Sequence, residues 1–290
     1  MGKVYLIGAG PGAADLITVR GARLLGAADV VLHDALVEPA MLDYAPHHAK
    51  RIAVGKRCGQ LSTAQQFINK QIVDAALEHQ LVVRLKGGDP MLFGRADEEM
   101  RALEAAGIEY EVVPGITAAL ASAASLKRSL TLRGVSRSVA LATFSRAPGS
   151  DEIREQVNAD SLVFYMGRDS GVEIARQLID AGKPATTPVA IVEACSTERE
   201  RMLTLTLDEL AAGEAQRWLD ASQPSLLMIG EAFAERQVEG TRSAGGLLVA
   251  ASISRAEFRE FYRGFSDRPS RGAAAEHLCT PRKVAQPLMR

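Results

Sequence analysis

Four glycine-rich or proline-containing turns each follow a run of residues that reads as a β-strand. They are Gly8-Ala9-Gly10-Pro11-Gly12, Gly87-Gly88-Asp89-Pro90, Pro114-Gly115-Ile116-Thr117, and the turn that opens at Gly167 after Phe164-Tyr165-Met166. Glycine after a strand lets main chain approach a ligand closely, yet many strand-to-helix junctions need it for local geometry alone. One such turn means little; four in one chain point to a ligand surface. Gly8, Gly10 and Ala13 satisfy GxGxx(G/A), and Asp29 or Asp34 lies near the spacing of a ribose-binding acid, so a dinucleotide is one candidate ligand. Pro11 argues against it by removing a backbone donor from the loop that would cradle pyrophosphate. Metal chemistry finds no support. His33, His47 and His48 have no companion ligands at metal spacing, and Cys58, Cys195 and Cys279 form no CxxC pair, so neither a zinc site nor a disulfide framework is expected.

The elements that must position these turns alternate regularly. Val4-Tyr5-Leu6-Ile7, Val30-Val31-Leu32, Val82-Val83-Arg84-Leu85 and Tyr110-Glu111-Val112-Val113 read as strands. Between them, residues 65–77 place Ile68, Ile72, Val73 and Leu77 on one helical face, entered through Ser62 and Thr63 with Gln65 and Gln66 at capping-box spacing. Residues 95–106 form a second helix stopped by Gly107. This βαβα rhythm predicts a mostly parallel sheet with helices on both faces and ligand sites at the carboxyl ends of the strands. An Ala/Ser-rich helical stretch at 116–126 interrupts it. Strand-like runs at 138–143, 162–166, 188–192 and 226–229 then resume, with helices at 172–181 and 207–213. The expected organisation is an N-terminal α/β domain over 1–117, a second over 118–237 with a cleft between them, and an appended tail over 238–290 that decays into Gly, Ser, Arg and Pro.

Composition bounds the function. At 290 residues, 47% hydrophobic and 24% charged, the chain reads as an ordinary globular protein of two domains. A net charge of -1 excludes a globally basic nucleic-acid binder. No apolar run approaches the ~18 residues that span a bilayer, and MGKVYLIGAGPG runs directly into a strand and turn, so a cytoplasmic location is expected.

Read in order, VYLIGAGPGAADLITVRG, ADVVLHDALV, VGKRCG, VVRLKGGDPMLFGRADEE, VVPGIT and LVFYMG resemble the tetrapyrrole methylases over roughly residues 3–235. VGKR combined with RLKGGDPMLFGR is most similar to the uroporphyrinogen-III C-methyltransferases, which make precorrin-2 for sirohaem, cobalamin and haem d1. The resemblance implies the two-domain class III methyltransferase α/β fold, a homodimer, no metal, and S-adenosylmethionine as methyl donor in the interdomain cleft. It further implies Asp34 as proton acceptor and Lys56 as proton donor, and Arg95, Glu98 and Arg133 as substrate-orienting residues. Pro11, Gly87, Gly88, Asp89, Leu92, Thr117, Ala118, Met166 and Cys195 are the implied cofactor contacts.

The acceptor in that family bears a carboxylate on every peripheral side chain, so its pocket should be locally basic. Residues 112–150 contain no Asp or Glu and carry Lys127, Arg128, Arg133, Arg137 and Arg146. Departures fall on the same side. GIPLTHR is replaced by Lys127-Arg128-Ser129-Leu130-Thr131-Leu132-Arg133 and VTGH by Ala142-Thr143-Phe144-Ser145. The arginine of YDRLV is Ala35, GRGGEE has become Gly94-Arg95-Ala96-Asp97-Glu98-Glu99, and Cys195 stands where VENGT has glycine. These changes keep two alternatives open: a methylase of a later corrinoid precursor, and a catalytically weak tetrapyrrole-binding protein.

Overall fold

The computed structural model describes residues 1–54, 63–144 and 157–235. It contains two five-stranded sheets, both within one compact unit. The first is built from β1 (Lys3–Gly8), β2 (Val30–His33), β3 (Lys50–Ala53), β4 (Leu81–Lys86) and β5 (Tyr110–Val113), in the order β3-β2-β4-β1-β5 with every pair parallel. Helices α1 (Val19–Leu25), α2 (Thr63–Glu78) and α3 (Ala96–Ala105) connect its strands. One core layer joins Val4, Val30 and Val82 to Ile68, Ile72 and Leu103; the other joins Ile7, Val31 and Leu85 to Leu25 and Met41. Burial on both faces explains why β1, β2 and β4 read as apolar runs rather than alternating ones.

The helix ends follow the sequence reading closely. Gly107 adopts φ +67 past the end of α3, its N–H bonds Glu104 O, and Ile108 N–H bonds Leu103 O, a two-bond stop that buries Ile108 against Leu103. The face of α2 differs at one position. Ile68, Ile72, Ala75 and Ala76 are buried, whereas Leu77 is exposed, one residue round from the core stripe. Of the expected capping box, Ser62 lies outside the described residues, and Gln65 donates instead to Asn69 Oδ1 at 2.9 Å.

The second sheet comprises β6 (Val139–Thr143), β7 (Ser161–Tyr165), β8 (Pro188–Glu193), β9 (Arg201–Thr206) and β10 (Ser225–Ile229), in the order β6-β7-β10-β8-β9. Only β6 and β7 pair in parallel; the other three pairs are antiparallel. The parallel rhythm therefore stops at the first sheet. Strand β9 follows β8 after residues 194–200 alone, too short a link for the dozen or more residues that a parallel crossover requires. Helices α4 (Ala118–Ser125), α5 (Gly171–Asp180) and α6 (Leu207–Ala211) complete this half. Helix α4 packs on one face of the sheet, α5 and α6 on the other. The appended tail lies outside the described residues.

Candidate active site

Strands β2, β4, β1 and β5 are neighbours, so parallel pairing brings their carboxyl ends side by side. Three of the glycine turns interlock there. Gly10 and Gly88 exchange backbone hydrogen bonds at 3.2 and 2.7 Å, and Ala9 N–H bonds Lys86 O at 2.7 Å. Gly8 and Gly115 lie so close that a Cβ on Gly8 would stand 2.5 Å from Gly115 Cα. Gly88, with φ +68, has no heavy atom within 4 Å of the position a Cβ would take, so its main chain faces open space. The Asp89 carboxylate ties the cluster together, accepting from Met91 N at 2.8 Å and Gly115 N at 2.9 Å. Asp34, at the end of β2, accepts from Gly87 N at 3.4 Å and faces Arg84 Nη2 at 3.6 Å.

The second half closes on this cluster through the ends of β7 and β8. Tyr165 Oη lies 2.5 Å from Thr117 Oγ1 and accepts from Ala119 N at 3.1 Å, which binds the end of β7 to the start of α4. Burial pushes the Tyr165 phenol above its ordinary range, with these hydrogen bonds opposing. The Tyr165 ring packs on Phe93 at 5.0 Å between centroids, reaching back to the turn after Pro90. Past β8, Ser196 Oγ accepts from Ala13 N at 3.0 Å, and a Cβ on Gly12 would stand 2.7 Å from Cys195 O. Phe93, Arg95, Met166, Ala194 and Ser196 all hold left-handed backbone without being glycine. That conformation costs about 1 kcal/mol or more per residue and gathers where function over-determines geometry.

The structure thus brings together Asp34, Gly87, Gly88, Asp89, Thr117, Ala118, Met166 and Cys195, with Pro11 and Leu92 in the same turns. Met166 is 53% exposed, so it is available to a ligand rather than spent as core filler. Cys195 behaves otherwise: its side chain enters the core among Ala119, Val192 and Phe233, and its carbonyl oxygen faces the Gly12 turn. Burial pushes its thiol up to about 11. The folded protein is therefore expected to leave Cys195 unalkylated by iodoacetamide at about pH 8, with peptide mass spectrometry showing the adduct only after unfolding; rapid modification of the native chain contradicts this burial.

Four expected residues stand apart. Lys56 lies outside the described residues. Arg95 and Glu98 bond each other bidentately at 2.7 and 2.8 Å on the exposed start of α3, a pair worth a few tenths of a kcal/mol. Arg133 is exposed in a turn closed by the Leu132–Ser136 bridge. The basic window is divided as well. Arg128 Nε is consumed by Ala234 O at 2.8 Å, and Arg146 lies outside the described residues. Lys127 and Arg128 line a cavity of about 600 Å³ that runs from Thr117 along α4 to β6, which none of Asp34, Arg95, Glu98 and Arg133 lines.

Sequence reading missed Arg84, Lys86, Glu99 and Tyr165. The first three are buried charges around Asp34. The usable signal was position: a charge inside a strand that is covered on both faces must be paired. Among the described residues no group of three or more His, Cys, Asp or Glu could hold a metal ion.

A family profile described as Tetrapyrrole (Corrin/Porphyrin) Methylases matches residues 3–211. The chain is 43% identical over 252 residues to a siroheme synthase of Stutzerimonas stutzeri, covering 84% of this chain and 54% of that protein. It is 44% identical over 233 residues to siroheme synthase 1 of Cronobacter sakazakii, covering 79% and 49%. The chain thus spans about half the length of these curated relatives. Among solved structures, uroporphyrin-III C-methyl transferase from Thermus thermophilus complexed with S-adenyl homocysteine superimposes with a TM-score of 0.70 at 37% identity, covering 82% of this chain and 97% of that one. A cobalt precorrin-4 methyltransferase superimposes with a TM-score of 0.69 at 27% identity, covering 80% and 96%.

Proposed function

Because this chain belongs to the tetrapyrrole methylases, we propose that it transfers methyl groups from S-adenosylmethionine to uroporphyrinogen III at C2 and C7, giving precorrin-2. The observation that carries this reading is the interlocking of the Gly10, Gly88 and Gly115 turns beside Asp34. The residues suit the donor. Bare main chain at Gly88, the exposed Met166 side chain and the Cys195 carbonyl offer close polar and apolar contact. Pro11, Gly87, Leu92, Thr117 and Ala118 extend that cradle, while Asp89 holds it together from behind through Gly115 N.

Bound S-adenosylmethionine supplies a methyl group activated as part of a sulfonium. The chain's own work is to orient the acceptor carbon in line and to take the proton that the macrocycle loses. Asp34 takes that proton: its Oδ1 accepts only the long 3.4 Å contact from Gly87 N, which leaves the oxygen room for it. Lys56 returns a proton, and Arg95, Glu98 and Arg133 orient the substrate. Arg95 and Glu98 now satisfy each other on the surface, so a carboxylate of the substrate exchanges for Glu98 at the guanidinium fork. Lys127 and Arg133, both exposed, add positive charge for the remaining carboxylates.

The same reading places the domain division after Thr117 and a homodimer in the cytoplasm. No helix among the described residues is long and apolar enough to cross a membrane. Leu120 and Leu141, exposed along the groove between α4 and β6, are the apolar surface suited to a second copy.

Anaerobic incubation of the full chain with uroporphyrinogen III and methyl-labelled S-adenosylmethionine tests the assignment. Label at both C2 and C7 by NMR is the expected result. An unlabelled tetrapyrrole, with a known enzyme active in parallel, overturns it. Label in a later corrinoid precursor supplied in a parallel incubation, with none in uroporphyrinogen III, supports the second reading, which the changed residues Ala35 and Lys127 to Leu132 favour.

A further inference from the structure

Arg84 and Lys86 are two residues apart on β4 and therefore point to the same face of the sheet, where α3 lays Glu99 over them. All three side chains are almost fully buried, at 3%, 4% and 0% exposure. Glu99 Oε1 accepts from Arg84 Nε at 3.0 Å and Oε2 from Lys86 Nζ at 2.9 Å. Arg84 Nη1 donates to Leu85 O at 2.9 Å and reaches Leu32 O at 3.5 Å. A guanidinium is a rigid planar fork, so fixing Nε and Nη1 fixes the direction of Nη2. That remaining nitrogen faces Asp34 Oδ2 at 3.6 Å.

Two cations and two carboxylates make the cluster neutral overall. Burial and Arg84 push the Lys86 ammonium below its ordinary range, while Glu99 pulls it back. Well-packed apolar residues hold a helix on a sheet at least as well as a buried ion pair does, because removing charges from water is expensive. Fastening α3 to β4 therefore does not by itself explain the cluster. Its one partly exposed member does: Asp34 is 25% exposed and stands at the end of β2 beside the glycine turns.

We infer that Arg84, clamped by Glu99, is a positioning residue that holds the Asp34 carboxylate at the angle from which it accepts the substrate proton. This rests on the assignment of Asp34 made above. Glu99 acts one step further back by keeping the guanidinium from turning, and Lys86 occupies the second Glu99 oxygen so that Glu99 grips Arg84 through Nε alone and leaves Nη2 to Asp34.

The test compares Arg84→Met, Arg84→Lys, Glu99→Gln and Asp34→Asn, with Arg84→Met also combined with Asp34→Asn, all in the full chain. Methyl transfer to uroporphyrinogen III and calorimetric binding of S-adenosylhomocysteine are measured for each. Arg84→Met is expected to lower kcat about 10- to 100-fold while KM for uroporphyrinogen III and the S-adenosylhomocysteine Kd stay within about threefold. Arg84→Lys restores part of the lost rate, and Arg84→Met lowers the residual rate of Asp34→Asn by less than about twofold, since the group it positions is already gone. Wild-type kcat in Arg84→Met overturns the inference, as do parallel losses of kcat and cofactor affinity or losses that multiply in the double variant. Should Arg84→Met fail to fold, Glu99→Gln decides: it keeps shape and acceptor oxygen, and a kcat lowered about tenfold at unchanged Kd is the expected result, with unchanged kcat overturning it. Full turnover in Asp34→Asn alone instead removes the assignment of Asp34 itself.

Discussion

Asp34→Asn is expected to lower methyl transfer about 100- to 10,000-fold, the usual span for losing a positioned proton acceptor. S-adenosylhomocysteine affinity should stay within about threefold of wild type, because the residues suited to the cofactor are main chain and Met166 rather than this carboxylate. Asparagine keeps the geometry. Its amide oxygen can still accept from Gly87 N, so the Gly87-Gly88 turn retains its anchor to the end of β2. What it loses is the capacity to hold a proton, and it also sets an amide or a neutral oxygen against Arg84 Nη2 in place of a charge. The surrounding cluster tolerates this because Glu99 still pairs both buried cations. Single-turnover kinetics together with calorimetry separate the two effects. If turnover and cofactor affinity fall by the same factor, Asp34 is a structural anchor for the turn and not the proton acceptor.

The parts of this site that were legible in the sequence are those written in main-chain chemistry. Gly8 and Gly115 serve close approach and Gly10 and Gly88 serve positive φ, both of which favour glycine, and the β-branched runs before them place each turn at a strand end. The first sheet follows from that alternation. Strands β3 and β9 did not announce themselves, since they lie at sheet edges where half of their surface is open, and Lys50, Arg51, Arg201 and Thr204 are exposed there like loop residues. The hand of the second sheet was hidden for a different reason: helix and strand alternation is the same whether a following strand returns parallel or antiparallel, and only the short link before β9 discriminates. Residue type alone does not place the charges. Arg84, Lys86 and Glu99 look like surface residues by type and are core by position, whereas Arg128 looks like a substrate cation and is tied to Ala234 O. For Asp89, which the resemblance implies as a cofactor contact, the structure adds a carboxylate accepting two backbone N–H groups that hold the neighbouring turns in register.

Those interlocked turns make the second large prediction. Adding a methyl group at Gly115 would place Cβ 2.3 Å from Gly88 O and 2.7 Å from Gly8 Cα. Every clashing atom is backbone, so no side-chain rotation relieves the overlap; the β1, β4 and β5 turns have to separate. Separation breaks the Gly10–Gly88 hydrogen bonds and draws Gly115 N away from Asp89. Gly115→Ala is therefore expected to weaken S-adenosylhomocysteine binding more than about 100-fold and to lower stability by about 1–3 kcal/mol, the usual cost of overpacking. Gly107→Ala is the control. Gly107 also has positive φ, +67, but a Cβ there meets no heavy atom within 4 Å, and it lies at the far end of α3 from the turns. It should cost about 1 kcal/mol in a urea melt through backbone strain alone and leave cofactor affinity unchanged. Should Gly115→Ala bind S-adenosylhomocysteine with wild-type affinity, the three-turn cradle is not where the methyl donor sits, however well the rest of the fold agrees.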